Sequence, residues 1–392
     1  MKPVKVLFIP HPMPSHLIPL ISLARKLRKN EFTVAFLVPQ ELGEYVRNNN
    51  LDLIDLPGRN FDKMTQELIA ISNFNADVIV DDHNFYTAFS SRVMNKPRIS
   101  IVRKGTIPFE NLTIGYKHSS GVNEFFESLK SLDHKGLDLW RPTTISDLFK
   151  GDINLIPSIP TLETLPPELE ERGSYIYSGP LLLNDEEMAG SLSFSSDVLT
   201  ALDIFLANNR NRRIVYFTKG IADPPEILNR AEYCIHSLLS HEEVAVITNV
   251  KIQGQHDKSR YFSNNFLPMN KICAVADIMI HQCGSGAYNY QLINKIPGIV
   301  LGSKCYDRDD IALRLEKIGV AAYIPADLDE QSYYNKFDEY ARQLLQDVSD
   351  LRIRQKLSLE EIKGEIDCIQ GAFNFESIIR QAIEKRVQLQ PY

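Results

Sequence analysis

Short apolar runs rich in strand-forming residues alternate with segments of helical periodicity in both halves of the chain. In the first half these runs cover residues 4–10, 32–38, 51–56, 76–80 and 98–102. In the second half they cover residues 214–217, 244–248, 278–280 and 298–301. Parallel strands need a crossover between them, and helices supply it. The alternation therefore predicts an α/β protein in which each half forms a doubly wound, Rossmann-like parallel sheet.

The chain has 392 residues, more than one hydrophobic core usually serves, and we expect two domains. Residues 184–196 are acidic and then Gly- and Ser-rich, with little periodicity, which is typical of a linker. We place an N-terminal domain at residues 1–190 and a C-terminal domain at 197–370. Residues 371–392 are predicted to form a helical tail that packs back on the N-terminal domain.

Composition excludes several classes of partner. The formal net charge of -7 offers no basic field to a phosphate backbone, so nucleic acid is not an expected partner. The five cysteines are odd in number and widely spaced, which is typical of reduced thiols and not of a zinc site or a disulfide framework. Residues 1–3 lead directly into an apolar strand, and no apolar run approaches the roughly 18 to 20 residues that cross a bilayer. We expect a cytoplasmic protein without a membrane span.

Two polar segments follow predicted strands of the first half. His16 lies where the first strand gives way to a helix, and ligands bind beyond the carboxyl ends of parallel strands. A neutral imidazole there can take a proton from a hydroxyl, because its reference pKa is about 6.5. Asp81 and Asp82 end the fourth strand, where a carboxylate can hold the tautomer of a histidine. The two acids can equally bind a metal or cap the next helix, and His16 can equally be structural.

The second half carries a glycine-containing turn and a charged turn. Residues 281–287 read His-Gln-Cys-Gly-Ser-Gly-Ala and precede a helix, whose unpaired N–H groups can bind a phosphate; such a segment can also be only a tight turn. Residues 306–310 read Tyr-Asp-Arg-Asp-Asp. Here Asp307 and Arg308 can bond sugar hydroxyls. The same run also has the Asp-x-Asp form of a metal site and the composition of a solvated helix cap.

Taken together, these segments resemble the nucleotide-sugar-dependent glycosyltransferases of the two-domain GT-B type, family 1, particularly the bacterial natural-product and macrolide enzymes. The segment Ser15-His16-x-x-Pro19 is similar to the family segment that carries the catalytic base. The partner aspartate of the family maps to Asp82, with Asp81 as the near alternative. The resemblance implies two Rossmann-like domains that face each other across a cleft. It also implies an inverting, metal-independent sugar transfer with His16 as base, oriented by Asp82.

The resemblance further implies a nucleotide diphosphate sugar, with UDP or dTDP, as donor substrate and no other cofactor. Residues 215–220 are similar to the family's phosphate-binding strand and turn, and Leu267 lies in a segment similar to the one beside the base and ribose. Residues 281–287 stand for the family's His-Gly-Gly-x-Gly-Thr box, and Asp307-Arg308 for its Asp-Gln pair. The implied donor-binding residues are Thr218, Gly220, Leu267, His281, Gly284, Ser285, Gly286, Ala287, Asp307 and Arg308.

The donor box departs from the family pattern. It has one extra residue before the glycines, Ala287 in place of a threonine, and Tyr290 or Gln291 in place of an acidic ribose ligand. Arg308 replaces a glutamine; a fixed cation there can favour a carboxylated or phosphate-rich donor, or it can equally turn outward. The acceptor is expected to be a small, apolar natural product held by the irregular residues 106–174. Two alternatives stay open: an inactive nucleotide-sugar-binding or partner protein, and a sugar-nucleotide epimerase or hydrolase of the same fold.

Overall fold

The chain divides into two α/β units. The computed structural model describes residues 2–54, 63–103, 146–171, 173–183, 196–219, 225–254 and 256–388. One unit comprises Met1–Leu183 with Cys368–Tyr392, and the other comprises Asn184–Asp367. Most of the linker predicted at 184–196 lies outside the described residues.

A seven-stranded parallel sheet forms the centre of the first unit. Its strands are β1 (Val4–Pro10), β2 (Phe32–Phe36), β3 (Asp52–Leu53), β4 (Val78–Asp82), β5 (Arg98–Ile101), β6 (Ile153–Ile156) and β7 (Tyr175–Tyr177). Their spatial order is β3-β2-β1-β4-β5-β6-β7. The helices between them are α1 (Pro14–Arg25), α2 (Gly43–Asn48) after a 3₁₀ turn at Gln40–Leu42, α3 (Lys63–Phe74), α4 (Phe85–Val93), α5 (Ser146–Phe149) and α6 (Pro167–Glu170).

The second unit repeats this plan with six parallel strands. They are β8 (Arg213–Phe217), β9 (Val244–Thr248), β10 (Tyr261–Ser263), β11 (Ile278–His281), β12 (Gly298–Leu301) and β13 (Ala321–Ile324), in the order β10-β9-β8-β11-β12-β13. The helices after residue 183 of the chain are α7 (Ser196–Asn208), α8 (Pro225–Leu239), α9 (Met269–Cys273), α10 (Ser285–Ile293), α11 (Tyr306–Lys317), α12 (Glu330–Leu345), α13 (Asp350–Ala372) and α14 (Phe375–Gln388), of which α14 belongs to the first unit. The predicted α/β class with two Rossmann-like sheets is confirmed.

The central strands are buried on both faces, as continuous apolar runs predict for a parallel sheet. In β1 the Phe8 ring stacks on Phe36 of β2 with centroids 4.8 Å apart, and burying each such ring contributes about 1.5 to 3 kcal/mol. An aspartate sets the register of the inner strands in each unit. Asp77 accepts the Lys5 N–H at 2.8 Å, and Asp277 accepts the Ile214 N–H at 2.9 Å.

The end of the chain belongs to the first unit. Phe375 of α14 lies with its ring centroid 6.4 Å from that of Phe8. Its neighbour Glu376 accepts hydrogen bonds from Arg28 Nε at 2.8 and 3.0 Å. The tail therefore packs on the first unit, which it joins from Cys368 onward.

Several short strands differ from the sequence-based expectation. Residues 106–174 were expected to be irregular, yet β6 lies within them and β7 follows directly, while β10 and β13 were also not predicted. These strands have only three or four residues, too few for periodicity to separate a strand from a loop. Residues 104–145, where most of the predicted acceptor region falls, lie outside the described residues. Within the described ranges, no helix combines the length and the apolarity that a bilayer span requires.

Candidate active site

The first candidate site lies where the strand order of the first sheet reverses, between β1 and β4. In open α/β sheets this reversal leaves a crevice at the carboxyl ends of the two strands. The His11 N–H donates to the Asp82 carbonyl oxygen at 2.8 Å, which joins the two strand ends. Pro14 at the first position of α1 starts the helix at once, as its fixed φ favours. His16 is thereby held in the first helical turn.

His16 and Asp82 form a hydrogen-bonded pair. Their Nδ1 and Oδ1 atoms are 2.9 Å apart; Asp82 is fully buried, and the His16 side chain is 17% exposed. An ionised carboxylate can only accept, so Nδ1 must carry the proton. In the neutral ring Nε2 is then unprotonated and can accept a proton from a ligand.

Arg103 shares the same carboxylate. Its Nη2 donates to Asp82 Oδ2 at 2.7 Å, and its Nη1 donates to Oδ1. Burial alone would raise the pKa of the Asp82 carboxyl, but Arg103 and His16 outweigh burial and hold this pKa well below its usual range. Asp82 is therefore charged at neutral pH and fixed on both oxygens.

Asp81 faces a different set of partners. Arg98 donates to its two oxygens through Nε and Nη2, both at 2.8 Å, and the Ser100 hydroxyl donates at 2.6 Å. Successive side chains of a strand point to opposite faces of a sheet, so only one of the two acids can reach α1. The structure brings Asp82 to His16 and places Asp81 in a buried ion pair.

Two further histidines surround His16. The ring centroids of His11 and His83 lie 5.3 and 5.2 Å from that of His16. Burial, then the neighbouring His16, lowers the pKa of His11 to about 4, and burial holds the pKa of His83 well below its ordinary value. His83 also has a positive φ of 55° and stacks on Phe149. Both rings are neutral at pH 7 and add no charge beside His16.

The second candidate site lies at the equivalent reversal between β8 and β11. Thr218 follows β8, and its N–H donates to Ile280 of β11 at 2.8 Å. Gly284 precedes α10, whose N-terminus has no side-chain cap. The first-turn N–H groups of a helix lack intrahelical partners and carry the positive end of its dipole. These groups make the turn suitable for an anion.

Gly284 and Gly286 border open space. A Cβ added at either position would meet no heavy atom within 4 Å, whereas one at Gly298 would lie 2.5 Å from the Met279 carbonyl oxygen. The φ of Gly284 is an ordinary -62°, and the left-handed residue of the turn is Cys283, with φ 56°. Neither packing nor backbone conformation therefore requires the two glycines. Their lack of a side chain leaves room at the helix start.

His281 lies inside the core beneath this turn. Its side chain is fully buried; Nε2 lies 2.7 Å from Gln291 Oε1, and Nδ1 accepts the Cys283 N–H at 3.0 Å. Burial lowers the pKa of His281 to about 4, against the Gln291 hydrogen bond. Both ring nitrogens of the neutral form are thus engaged in holding the turn. Gln291 also donates to the Val320 carbonyl oxygen at 3.1 Å, so its side chain is committed to the core.

The remaining predicted donor residues lie around the same edge. Leu267 is buried just before α9, and Ser285 and Ala287 are half-buried in the first turn of α10. Arg308 is half-buried in the first turn of α11, after β12. The side chain of Asp307 and the whole of Gly220 lie outside what the structure describes. Asp309, the second acid of the Asp-x-Asp form, accepts the Ser303 N–H at 2.8 Å.

Arg103, His11 and His83 were not among the predicted site residues. Each follows the carboxyl end of a central strand: β5, β1 and β4, respectively. The rule that ligands bind at this edge could have identified all three. At this edge, the family segments drew attention to His16, Asp82 and the alternative Asp81.

No protein-family profile and no curated protein sequence matches the chain. Solved structures match it over nearly its whole length. The spinosyn forosaminyltransferase SpnP is 16% identical, with 98% of this chain and 100% of that chain covered and a TM-score of 0.72. The glycotransferase of kitacinnamycin is 14% identical, with 98% of this chain and 99% of that chain covered and a TM-score of 0.70. The glycosyltransferase VinC, solved in complex with dTDP, is 12% identical, with 97% of this chain and 100% of that chain covered and a TM-score of 0.68.

At these identities the likeness establishes the fold. The chain has the two-domain GT-B fold of bacterial natural-product glycosyltransferases, and the predicted fold is confirmed.

Proposed function

We propose that this chain transfers a sugar from a nucleotide diphosphate sugar to a hydroxyl of a small, apolar acceptor, with inversion and without a metal ion. The observation that carries the proposal is the His16–Asp82 hydrogen bond at the strand reversal of the first sheet. It occurs in a chain with the fold of known glycosyltransferases. The proposal assigns acceptor activation to the first unit and donor binding to the second.

In the proposed reaction His16 is the general base. Its Nε2 takes the acceptor proton as the acceptor oxygen attacks the anomeric carbon, and Asp82 stabilises the resulting imidazolium. The bond between the anomeric carbon and the diphosphate breaks, and its electron pair leaves with the diphosphate. One displacement of this kind inverts the anomeric configuration. A positioned base of this type typically contributes about 10² to 10⁴-fold to the rate.

The leaving diphosphate is proposed to bind at the start of α10. The N–H groups from Gly284 to Ala287 and the nearby Thr218 would stabilise its developing charge through a preorganised arrangement. His281 supports this site from inside by holding the Cys283 N–H. Leu267, Asp307 and Arg308 are proposed to complete the donor site. Because VinC was solved with dTDP, a dTDP-sugar is the first donor to test, with UDP-sugars next.

The test is a panel of dTDP- and UDP-sugars, measured by calorimetry in EDTA and then incubated with a library of hydroxylated polyketides, peptides and terpenoids. Mass spectrometry detects the glycoside and the released nucleoside diphosphate, and NMR of the product reports the anomeric configuration. We expect tight binding of at least one donor and a glycoside of inverted configuration.

Other outcomes identify the alternatives. Failure of every nucleotide sugar to bind would overturn the donor assignment. Donor binding with release of free sugar in the absence of acceptor would indicate a hydrolase, and conversion to an isomeric nucleotide sugar would indicate an epimerase. Binding without any turnover across the library would favour a nucleotide-sugar-binding partner protein. Loss of activity in EDTA that Mg²⁺ restores would refute metal independence.

A further inference from the structure

We infer that Arg103 is a positioning residue that sets the pH at which the His16–Asp82 pair takes up its proton. The inference concerns the regulation of the proposed transferase site and rests on the proposed function for its catalytic meaning. Its structural basis is independent of substrate, because the three side chains contact one another directly.

The geometry gives Arg103 a stronger hold on Asp82 than His16 has. Arg103 donates to both carboxylate oxygens, whereas His16 reaches Oδ1 alone. Two parallel N–H bonds from one guanidinium fix the plane of a carboxylate as well as its charge. The plane of Asp82 in turn fixes the direction of the Nδ1–H bond. Arg103 therefore orients His16 through Asp82.

Arg103 also lies close to His16 itself. The distance between Nη1 and Nδ1 is 3.3 Å, and an Nδ1 that carries its own hydrogen cannot accept from the guanidinium. This contact is therefore not a hydrogen bond. It places the permanent positive charge of Arg103 beside the His16 ring, which itself becomes positive when it takes a proton. Like charges at this distance disfavour the second charge. Arg103 partly neutralises the negative charge of Asp82, and it thereby opposes protonation of the His16–Asp82 pair.

Among the described residues, the two other histidines that face the pair add no charge to it. His11 faces it from the end of β1 and His83 from the end of β4, and both are neutral at pH 7. Lys63 of α3 is a cation that helps to lower the pKa of His11. Asp82 is the carboxylate that His16 contacts within the described residues. Removing Arg103 thus leaves one unshared, buried carboxylate beside the imidazole.

The experiment compares wild type with Arg103→Met by histidine-selective ¹⁵N NMR titration, without donor or acceptor. Loss of the His16 signal in His16→Gln assigns it. Because the pair titrates as a unit, we expect its midpoint to rise by about one to three pH units in Arg103→Met. Arg103→Lys retains the charge without the paired bonds and should stay near the wild-type midpoint. Arg342→Met, an exposed arginine of the second unit, controls for net charge.

If Arg103→Met does not fold, Arg103→Gln replaces it as the neutral variant. An unchanged midpoint in the folded neutral variant would overturn the inference, as would an equal shift in Arg103→Lys. With an active enzyme, the acid limb of the kcat/KM profile should move with the midpoint. In Arg103→Lys, kcat should fall about tenfold because the paired bonds are lost, while the acid limb should stay where it is in wild type. In the neutral variant Arg103→Met, a purely structural role would lower activity without moving the acid limb. Absence of turnover in the wild type would refute the proposed function while leaving the titration result intact.

Discussion

The two strand reversals share one topology and use opposite chemistry. At the reversal of β1 and β4, the site consists of ionisable side chains, with a charged Asp82 held by His16 and Arg103. At the reversal of β8 and β11, it consists of backbone N–H groups and two glycines that border open space. A duplicated framework therefore places polar groups at one edge without determining which kind they are. The first edge suits proton transfer, and the second suits binding of a permanent anion.

Each edge also contains one histidine that the sequence singled out, His16 at the first and His281 at the second, and these two differ in what they can do. His16 is partly exposed and has an unprotonated Nε2 in its neutral form. His281 is fully buried with both nitrogens engaged. Position after a strand is thus insufficient to assign a role, and the exposure of the ring nitrogens separates a base from a support.

The largest expected effect is on turnover in His16→Gln. We expect kcat to fall by about 10³-fold, because the general base is lost. Donor affinity should remain unchanged, because the proposed donor contacts lie in the second unit. Steady-state kinetics and calorimetry measure the two quantities. His241→Gln, at a half-exposed site of the second unit, is the matched control. If His16→Gln keeps its turnover, the first edge does not supply the general base.

The next effect is the acid response of His281→Asn. The folded-state pKa of His281 is about 4 against 6.5 for the free ring, so its stabilising contribution is full above pH 6.5 and declines as pH falls toward 4. The loss amounts to about 3 kcal/mol, at 1.36 kcal/mol per unit of pKa. The variant should be less stable at pH 7 and less sensitive to acid. Urea denaturation of both proteins from pH 7 to 4.5 tests this. If their free energies of unfolding fall in parallel as the pH is lowered, the His281 ring is not held neutral.

Glu67→Gln should give the opposite sign in the first unit. Glu67 is buried and accepts from Ser90 and Asn84, and burial raises its pKa to about 7 against those hydrogen bonds. Its contribution is therefore full below pH 4.5 and is lost as pH rises through 7. Relative to wild type, the glutamine variant should gain up to about 3 kcal/mol between pH 4.5 and 8. A constant difference in urea denaturation across this range would contradict the burial of a titrating carboxyl.

The smallest effect is expected for Gly284→Ala. The new methyl group meets no atom of the protein, so the thermal unfolding temperature should hardly change. If the diphosphate occupies that space, donor affinity should fall about tenfold, equivalent to about 1.4 kcal/mol. Gly364→Ala in α13 also adds a methyl group in open space and should leave donor affinity intact. If both variants bind the donor as tightly as wild type, the diphosphate does not bind at the start of α10.

Local patterns predicted the fold class, because strand periodicity carries that information, and the family resemblance implied the pairing of His16 with Asp82. They did not predict Arg103, whose contact with Asp82 depends on the neighbouring positions of β4 and β5. Nor did they predict the inward direction of His281, which depends on helices packed on both faces of β11. Short-range sequence identifies candidates at an edge, and long-range packing decides which nitrogen or oxygen a ligand can reach.

The docking of α14 has a consequence for synthesis of the chain. Phe375 and Glu376 contact Phe8 and Arg28, so the first unit is completed by residues made after the whole second unit. During translation from the N-terminus, the β1 region waits without its final helical cover while the second unit emerges and folds. The unit that begins first is therefore finished last, and its apolar surface stays uncovered and open to aggregation while the second unit is made.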